Sequence, residues 1–310
     1  FKTLTPSQLE AFKILRKNLS DLQDVESQQF CTDRCLLRYL RARNYHIEKS
    51  EKMLRATLEW RKQNRPQDIK FSEVVEMAKS GAIYQNGRDR MGRPIVMIRP
   101  RNDPKSVPTE LKKKNLMFWL EYSIKQMNED NGIESVTLFV DFQGFSRKNL
   151  DMKSVMECVH ILSDHCPERL GQAIFLDPPT MFWLFWKLVT PFFNEVTLSK
   201  VKFINSKKEN GIRVAPEVLN YIAADQLEVE FGGENRMTFN RDTNTFGDNP
   251  IVQMSPNSLM AHTKMDETVS TSSEEDEAGG SDIMRGYASP PCRPRSSRSS
   301  QASPISAMTS

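Results

Sequence analysis

At 310 residues the chain has room for one large domain or two small ones, and it is long enough to bury a substantial core. Hydrophobic residues make up 38% and charged residues 27%, both ordinary for a soluble globular protein. The net charge of +3 divides unevenly: residues 261–310 hold five Lys/Arg and seven Asp/Glu (−2), leaving the body at +5, a balance that suits an anionic membrane surface and is too weak for a nucleic-acid footprint.

Five cysteines without regular spacing make no disulfide framework and point to a reducing compartment. The opening Phe1-Lys2-Thr3-Leu4-Thr5 carries no signal-peptide core, and no apolar run reaches the roughly 18–20 residues of a membrane span. These features predict a cytoplasmic protein whose membrane contact is peripheral.

Taken in chain order, the first third reads as helices. Thr5-Pro6 opens one, with Thr as cap and Pro at the first helical position, and Leu9, Phe12, Leu15 and Leu19 fall on one face. A second carries Leu36, Leu37 and Leu40 among Arg34, Arg38, Arg41 and Arg43, and a third runs from Ile47 through Trp60. This helical cap, residues 1–70, closes near Arg65-Pro66.

Asn86-Gly87 and Met91-Gly92 then read as turns, followed by a strand at Pro94–Ile98. A helix from Thr109 to about Asn128 precedes Val136–Val140, an apolar run without alternation, as in a strand covered on both faces. Helix Met152–His165, strand Ala173–Leu176, an aromatic helix from Thr180, strand Val201–Ile204 and helix Pro216–Ile222 complete the series. Alternating strands and helices predict an α/β domain over residues 71–245 with a mainly parallel sheet. Residues 246–310, rich in Ser, Pro and Arg around Ser272-Ser273-Glu274-Glu275-Asp276-Glu277, read as a disordered tail.

Catalytic signatures are missing: there is no G-x-S-x-G, P-loop, dinucleotide glycine fingerprint or H-E-x-x-H, and the chain has four histidines. Cys158, His160, His165 and Cys166 lie close in sequence. On one helix His160 points away from Cys158 and His165, and the spacing matches no zinc pattern, so no metal is expected. What needs explaining is Thr180–Val189 followed by Pro191-Phe192-Phe193, a helix apolar on nearly every face except at Lys187. It is too short to span a bilayer, so it is either buried on the sheet or lines an apolar cavity on one side and meets a membrane interface on the other.

Six segments in order resemble the CRAL-TRIO family. Leu36–Tyr45 is similar to its LLRFLRAR helix and Trp60-Arg61 to its closing helix. Asp89–Pro94 resembles D-x-x-G-R-P, and Val140–Ser146 resembles the DLxGxS strand end. Pro167–Gly171 matches YPERLG and Leu227–Gly233 matches LPxEFGG. The resemblance covers roughly residues 5–240 and is nearest to the fungal-type phosphatidylinositol transfer branch. It implies a helical amino-terminal region, a lipid-binding domain roofed by an apolar gate helix, and no enzymatic activity. The gate carries Phe182, Trp183, Phe185, Trp186, Phe192 and Phe193, which would lower the cost of exposure at a membrane.

Carried over position by position, the resemblance implies that Arg43, Glu168, Thr197 and Lys200 contact phosphoinositol, with no cofactor beyond the bound lipid. Two departures matter: Asn44 stands where the branch commonly has Lys, and Val136 and Leu138 in the lipid cavity occupy positions that carry hydroxyl residues in phosphatidylcholine binders. Neither apolar side chain can hydrogen-bond a phosphocholine head, so phosphatidylinositol binding is expected to persist while phosphatidylcholine binding is weak or lost. The expected partners are phospholipid membranes and, through lipid presentation, a lipid kinase; the chain is expected to act as a monomer without nucleic acid. The alternatives are a carrier of a sterol or another hydrophobic ligand, and a membrane-tethered scaffold or regulatory module. Ser272, Ser273, Ser289 and Ser303 are phosphorylation candidates that could tune membrane affinity through charge.

Overall fold

The computed structural model describes residues 4–104, 107–146, 151–209 and 212–236, with three two-residue strands at 239–240, 245–246 and 249–250. The boundary drawn at 246 therefore falls within these short strands. Residues 251–310, with Ser272, Ser273, Ser289 and Ser303, lie outside the described residues.

The cap consists of helices α1 (Pro6–Asn18), α2 (Val25–Phe30), α3 (Asp33–Ala42) and α4 (Ile47–Asn64). Thr5 caps α1 in a reciprocal box: its hydroxyl accepts from the Gln8 N–H at 3.3 Å and its own N–H donates to Gln8 Oε1 at 3.0 Å. The apolar stripes meet in one cluster, with Leu15, Cys35, Leu40 and Leu54 fully buried. Arg65, left-handed at φ 44°, ends α4 ahead of Pro66. Helix α5 (Phe71–Lys79), unread in the sequence, follows and buries Val74, Met77 and Ala78.

A five-stranded sheet in the order β1-β2-β3-β4-β5 forms the body, from β1 (Ile83–Arg88), β2 (Pro94–Ile98), β3 (Val136–Asp141), β4 (Leu170–Leu176) and β5 (Val201–Ile204). β1 runs antiparallel to β2, and the other pairs are parallel. Asn86-Gly87, expected as a turn, lies inside β1 at a bulge. Gly87 has φ 72°, and a Cβ there would meet Gln226 O at 2.5 Å, so backbone packing, and no chain reversal, requires the glycine. The reversal is at Asp89–Gly92, where the buried Asp89 carboxylate accepts from the Met91 and Arg93 N–H groups, both at 2.9 Å, and from Thr137 Oγ1 at 2.5 Å. The D-x-x-G-R-P segment is thus a turn pinned to the central strand.

The parallel strands are joined by α6 (Thr109–Lys125), α7 (Met152–His165), and α8 (Phe182–Val189) with α9 (Glu195–Ser199). Sequential strand order with right-handed crossovers puts these helices on one face. Strand alternation sends Ile95, Met97, Phe139, Ile174, Leu176 and Ile204 to the opposite face, where Val218, Ile222, Leu227 and Phe231 cover them. The segment Pro216–Asn220, expected as a helix, is a 3-10 turn within that cover. A small hairpin, β6 (Lys207–Glu209) with β7 (Ile212–Val214), lies between β5 and this turn. On the helix-bearing face the same alternation presents Val136, Leu138, Val140 and Phe142 from β3 and its end, Ala173 and Phe175 from β4, and Val201 and Phe203 from β5.

Candidate functional site

On that face lies a cavity of about 280 Å³. Its walls include Arg43, Glu168, Thr197 and Lys200, brought together from three segments of the chain, with Val136 and Leu138 on the sheet side. Each of the four has a local structural reason for its position. Arg43 is the C-cap residue of α3 and donates to the Ala42 carbonyl at 3.0 Å; among the described residues no carboxylate lies within ion-pair distance of it. Glu168 has φ 58° in the turn between α7 and β4, a conformation unusual for a non-glycine residue. Thr197 lies in α9, whose N-cap Asn194 accepts from the Thr197 N–H at 2.8 Å. Lys200 caps the other end of α9; its ammonium donates to Leu170 O at 2.8 Å and lies 3.8 Å from a Glu168 oxygen.

Two cations and one carboxylate leave this set one positive charge in excess, which matches a single phosphodiester. Thr197 adds a hydroxyl, and Glu168 can accept from ligand hydroxyls. Asp164 also lines the cavity, but its side chain is 60% exposed and faces His160 at 3.8 Å, so solvent screens it. Asn44 is exposed and φ-positive, outside the cavity wall.

The aromatic segment forms α8 and a following 3-10 turn, Thr190–Phe192, with Phe193 beyond it. Phe182, Phe185 and Trp186 pack inward on Phe142, Phe175 and Phe203, and Phe182 stands 4.9 Å ring to ring from Phe142. Trp186, Phe192 and Phe193 also line the cavity. On the outer side Trp183 (43%), Leu184 (70%), Leu188 (57%) and Phe192 (42%) are exposed, so the helix is two-sided: one stripe on the sheet, the other in solvent.

Cys158, His160, His165 and Cys166 are spread over different surroundings. His165 stacks on Trp60 at 4.4 Å, while His160 meets Phe192 edge-on at 4.9 Å. Burial pushes the Cys158 and Cys166 thiols up to about 12. Among the described residues no cluster of His, Cys, Asp and Glu could hold a metal, and no helix is long and apolar enough to cross a membrane.

Sequence reasoning overlooked Phe175, Ser163 and Asn194 in the cavity wall. Phase on β4 would have found Phe175, two residues from Ala173 and opposite Val140. Ser163 and Asn194 carried no signal beyond being a helix residue and a cap.

The chain matches two family profiles, the CRAL/TRIO N-terminal domain at residues 11–56 and the CRAL/TRIO domain at residues 78–233. A CRAL-TRIO domain-containing protein of Schizosaccharomyces pombe is 28% identical over 258 residues, which is 78% of this chain and 24% of the relative. Patellin-4 of Arabidopsis thaliana is 29% identical, covering 65% of this chain and 38% of its own length. The phosphatidylinositol transfer protein CSR1 of Eremothecium gossypii is 26% identical over 76% of this chain and 56% of its own length. The chain therefore spans between about a quarter and somewhat over half of these relatives. The crystal structure of Sfh5 superposes with a TM-score of 0.57 at 14% identity, over 86% of this chain and 100% of that one, which shows a shared fold. With its two profiles matched in order on the helical cap and on the sheet that bears the cavity, the chain belongs to the CRAL/TRIO family.

Proposed function

We propose that this domain binds phosphatidylinositol and exchanges it with membranes, with phosphatidylcholine bound weakly or not at all. The observation that carries the reading is the convergence of Arg43, Glu168, Thr197 and Lys200 on one cavity whose sheet wall is Val136 and Leu138. A relative at 26% identity bears the name of a phosphatidylinositol transfer protein, which agrees with it. Arg43 and Lys200 meet the phosphate, Thr197 donates a further hydrogen bond, and Glu168 accepts from the inositol hydroxyls.

The cavity of about 280 Å³ has the volume of a headgroup, at the lower edge of the roughly 300–1,000 Å³ typical of ligand pockets. The acyl chains require the space that Phe182, Phe185 and Trp186 fill against Phe175 and Phe203. Loading therefore needs α8 to swing outward. Its exposed stripe of Trp183, Leu184 and Leu188 offers a membrane face on which that swing can occur. Each acyl CH₂ enclosed afterwards contributes about 0.8 kcal/mol. No covalent step is involved, and presentation of the lipid to a kinase is an extension of the same cycle.

The test is transfer of labelled lipid between vesicles. The account expects phosphatidylinositol to move and phosphatidylcholine to remain, with phosphatidylinositol transfer lost in Lys200→Ala. Equal transfer of both lipids, or transfer unchanged by that substitution, contradicts it.

A further inference from the structure

A second cavity, of about 200 Å³, lies beneath the cap between α3, α4, α6 and α7. Phe30, Tyr39, Trp60, Leu120 and Ile124 form its apolar wall, and Arg38, Arg61 and Arg169 enter it with Glu121 and Glu129. It shares only Leu120, Cys166, Pro167 and Arg169 with the larger cavity.

Charge in this region does not balance. Arg61 is matched by Glu121 at 2.6 Å. The remaining network sets four guanidiniums, Arg34, Arg38, Arg41 and Arg169, against three carboxylates, Glu129, Asp130 and Glu134. The excess falls on Arg38. Its side chain is 5% exposed, and its one ion-pair partner among the described residues is Glu129 at 3.5 Å, a carboxylate that Arg169 holds more closely at 3.0 Å. Burial pushes the Tyr39 hydroxyl and the Cys166 thiol up and His165 down, so all three on this wall favour their neutral forms and supply no counter-charge. A buried guanidinium without a full counter-ion is costly, whereas an oxyanion in the adjoining cavity would satisfy its planar fork of donors.

We propose that this cavity is a binding site for a small amphipathic monocarboxylate, its carboxylate on Arg38 and its apolar body against Tyr39, Trp60 and Leu120. The volume fits such a body, since an apolar cavity of about 150 Å³ accepts benzene. The site is separate from the lipid cavity and independent of which lipid that cavity takes.

The experiment is calorimetric titration of the full chain with hexanoate, 1-hexanol and inorganic phosphate. Hexanoate should bind at least about tenfold more tightly than either comparator, because only it offers both the charge and the chain. Arg38→Met should abolish that preference. Ile124→Trp, which fills the cavity and leaves every guanidinium in place, should abolish binding and decides the matter if the arginine variant does not fold. Binding of hexanol or phosphate as tight as that of hexanoate overturns the proposal. So does hexanoate binding that survives in Ile124→Trp, or hexanoate that displaces a fluorescent phospholipid from the larger cavity.

Discussion

Lys200 approaches Glu168 to 3.8 Å while its ammonium is held at 2.8 Å by the carbonyl of Leu170, so one lysine ties the turn before β4 to the end of α9 and directs its charge along the cavity wall. In the proposed site, removing it would delete a charge-assisted contact to the ligand's phosphate and leave Glu168 without its cation. Lys200→Ala is expected to weaken phosphatidylinositol binding by roughly 10–100-fold, the loss of one hydrogen bond to a charged group. Equilibrium binding to a fluorescent phosphatidylinositol measures this, and an unchanged affinity removes Lys200 from the site.

Val136 and Leu138 share the cavity face of β3 and offer no hydrogen bond. The double substitution Val136→Ser with Leu138→Thr supplies two hydroxyls there. It is expected to raise phosphatidylcholine binding several-fold, roughly 1 kcal/mol for a typical hydrogen bond, without loss of phosphatidylinositol binding. Competition between the two lipids reads the ratio; a ratio that does not move means these positions do not select the headgroup.

The two sides of α8 separate stability from membrane contact. Leu184 and Leu188 are exposed, so Leu184→Glu with Leu188→Glu should change stability by no more than about 0.5 kcal/mol per site while sharply reducing sedimentation with anionic vesicles. Trp186→Ala acts on the inner side, where it loses contacts with Phe175 and Phe203. Being half-buried, it should cost roughly half of the about 3–5 kcal/mol of a core Trp→Ala. Equal vesicle binding by the Glu variant and the wild type would show that α8 does not touch the membrane.

His165 links the cap to α7 by stacking on Trp60 and by a 3.3 Å hydrogen bond between Nδ1 and the Thr57 hydroxyl. Burial lowers its pKa below 6.5, outweighing the opposing charge of Asp164. The unfolded chain therefore takes up the proton first. The stabilising contribution is complete above pH 6.5 and is lost progressively as pH falls below that value. Relative to His165→Phe, which keeps a ring on Trp60 but does not titrate, the wild type should lose stability below pH 6.5 by at most about 1.4 kcal/mol per pH unit. Denaturant melts across that range decide it; parallel curves for the two proteins contradict the assignment.

The sequence carried much of the fold because its signals were local and redundant. The bounds of α7 and β5 are those expected, and in the structure Asp151 caps α7 by accepting from the Ser154 N–H. Strand β1 was hidden because Asn86-Gly87 has the composition of a turn, and the contact that demands glycine, with Gln226, is distant in sequence. The family motifs divide in a way no linear reading reveals. Asp89 and Glu228 are structural: Glu228 is 2% exposed and takes hydrogen bonds from Tyr84, Asn86 and Arg99. Glu168, in a motif of the same kind, faces the cavity because its left-handed backbone turns it there. Nothing in the sequence of α3 sets Arg38 apart from Arg34 and Arg41, yet Arg38 is buried with Glu129 as its ion-pair partner, while Arg34 and Arg41 reach Asp130 and Glu134 nearer the surface.

The most direct test is to purify the full chain, extract what it carries and identify the lipid by mass spectrometry. The expected result is phosphatidylinositol with little or no phosphatidylcholine, and a much lower yield of phosphatidylinositol from Lys200→Ala. Recovery of only a sterol or another neutral lipid, with the wild type and the variant alike, would contradict it.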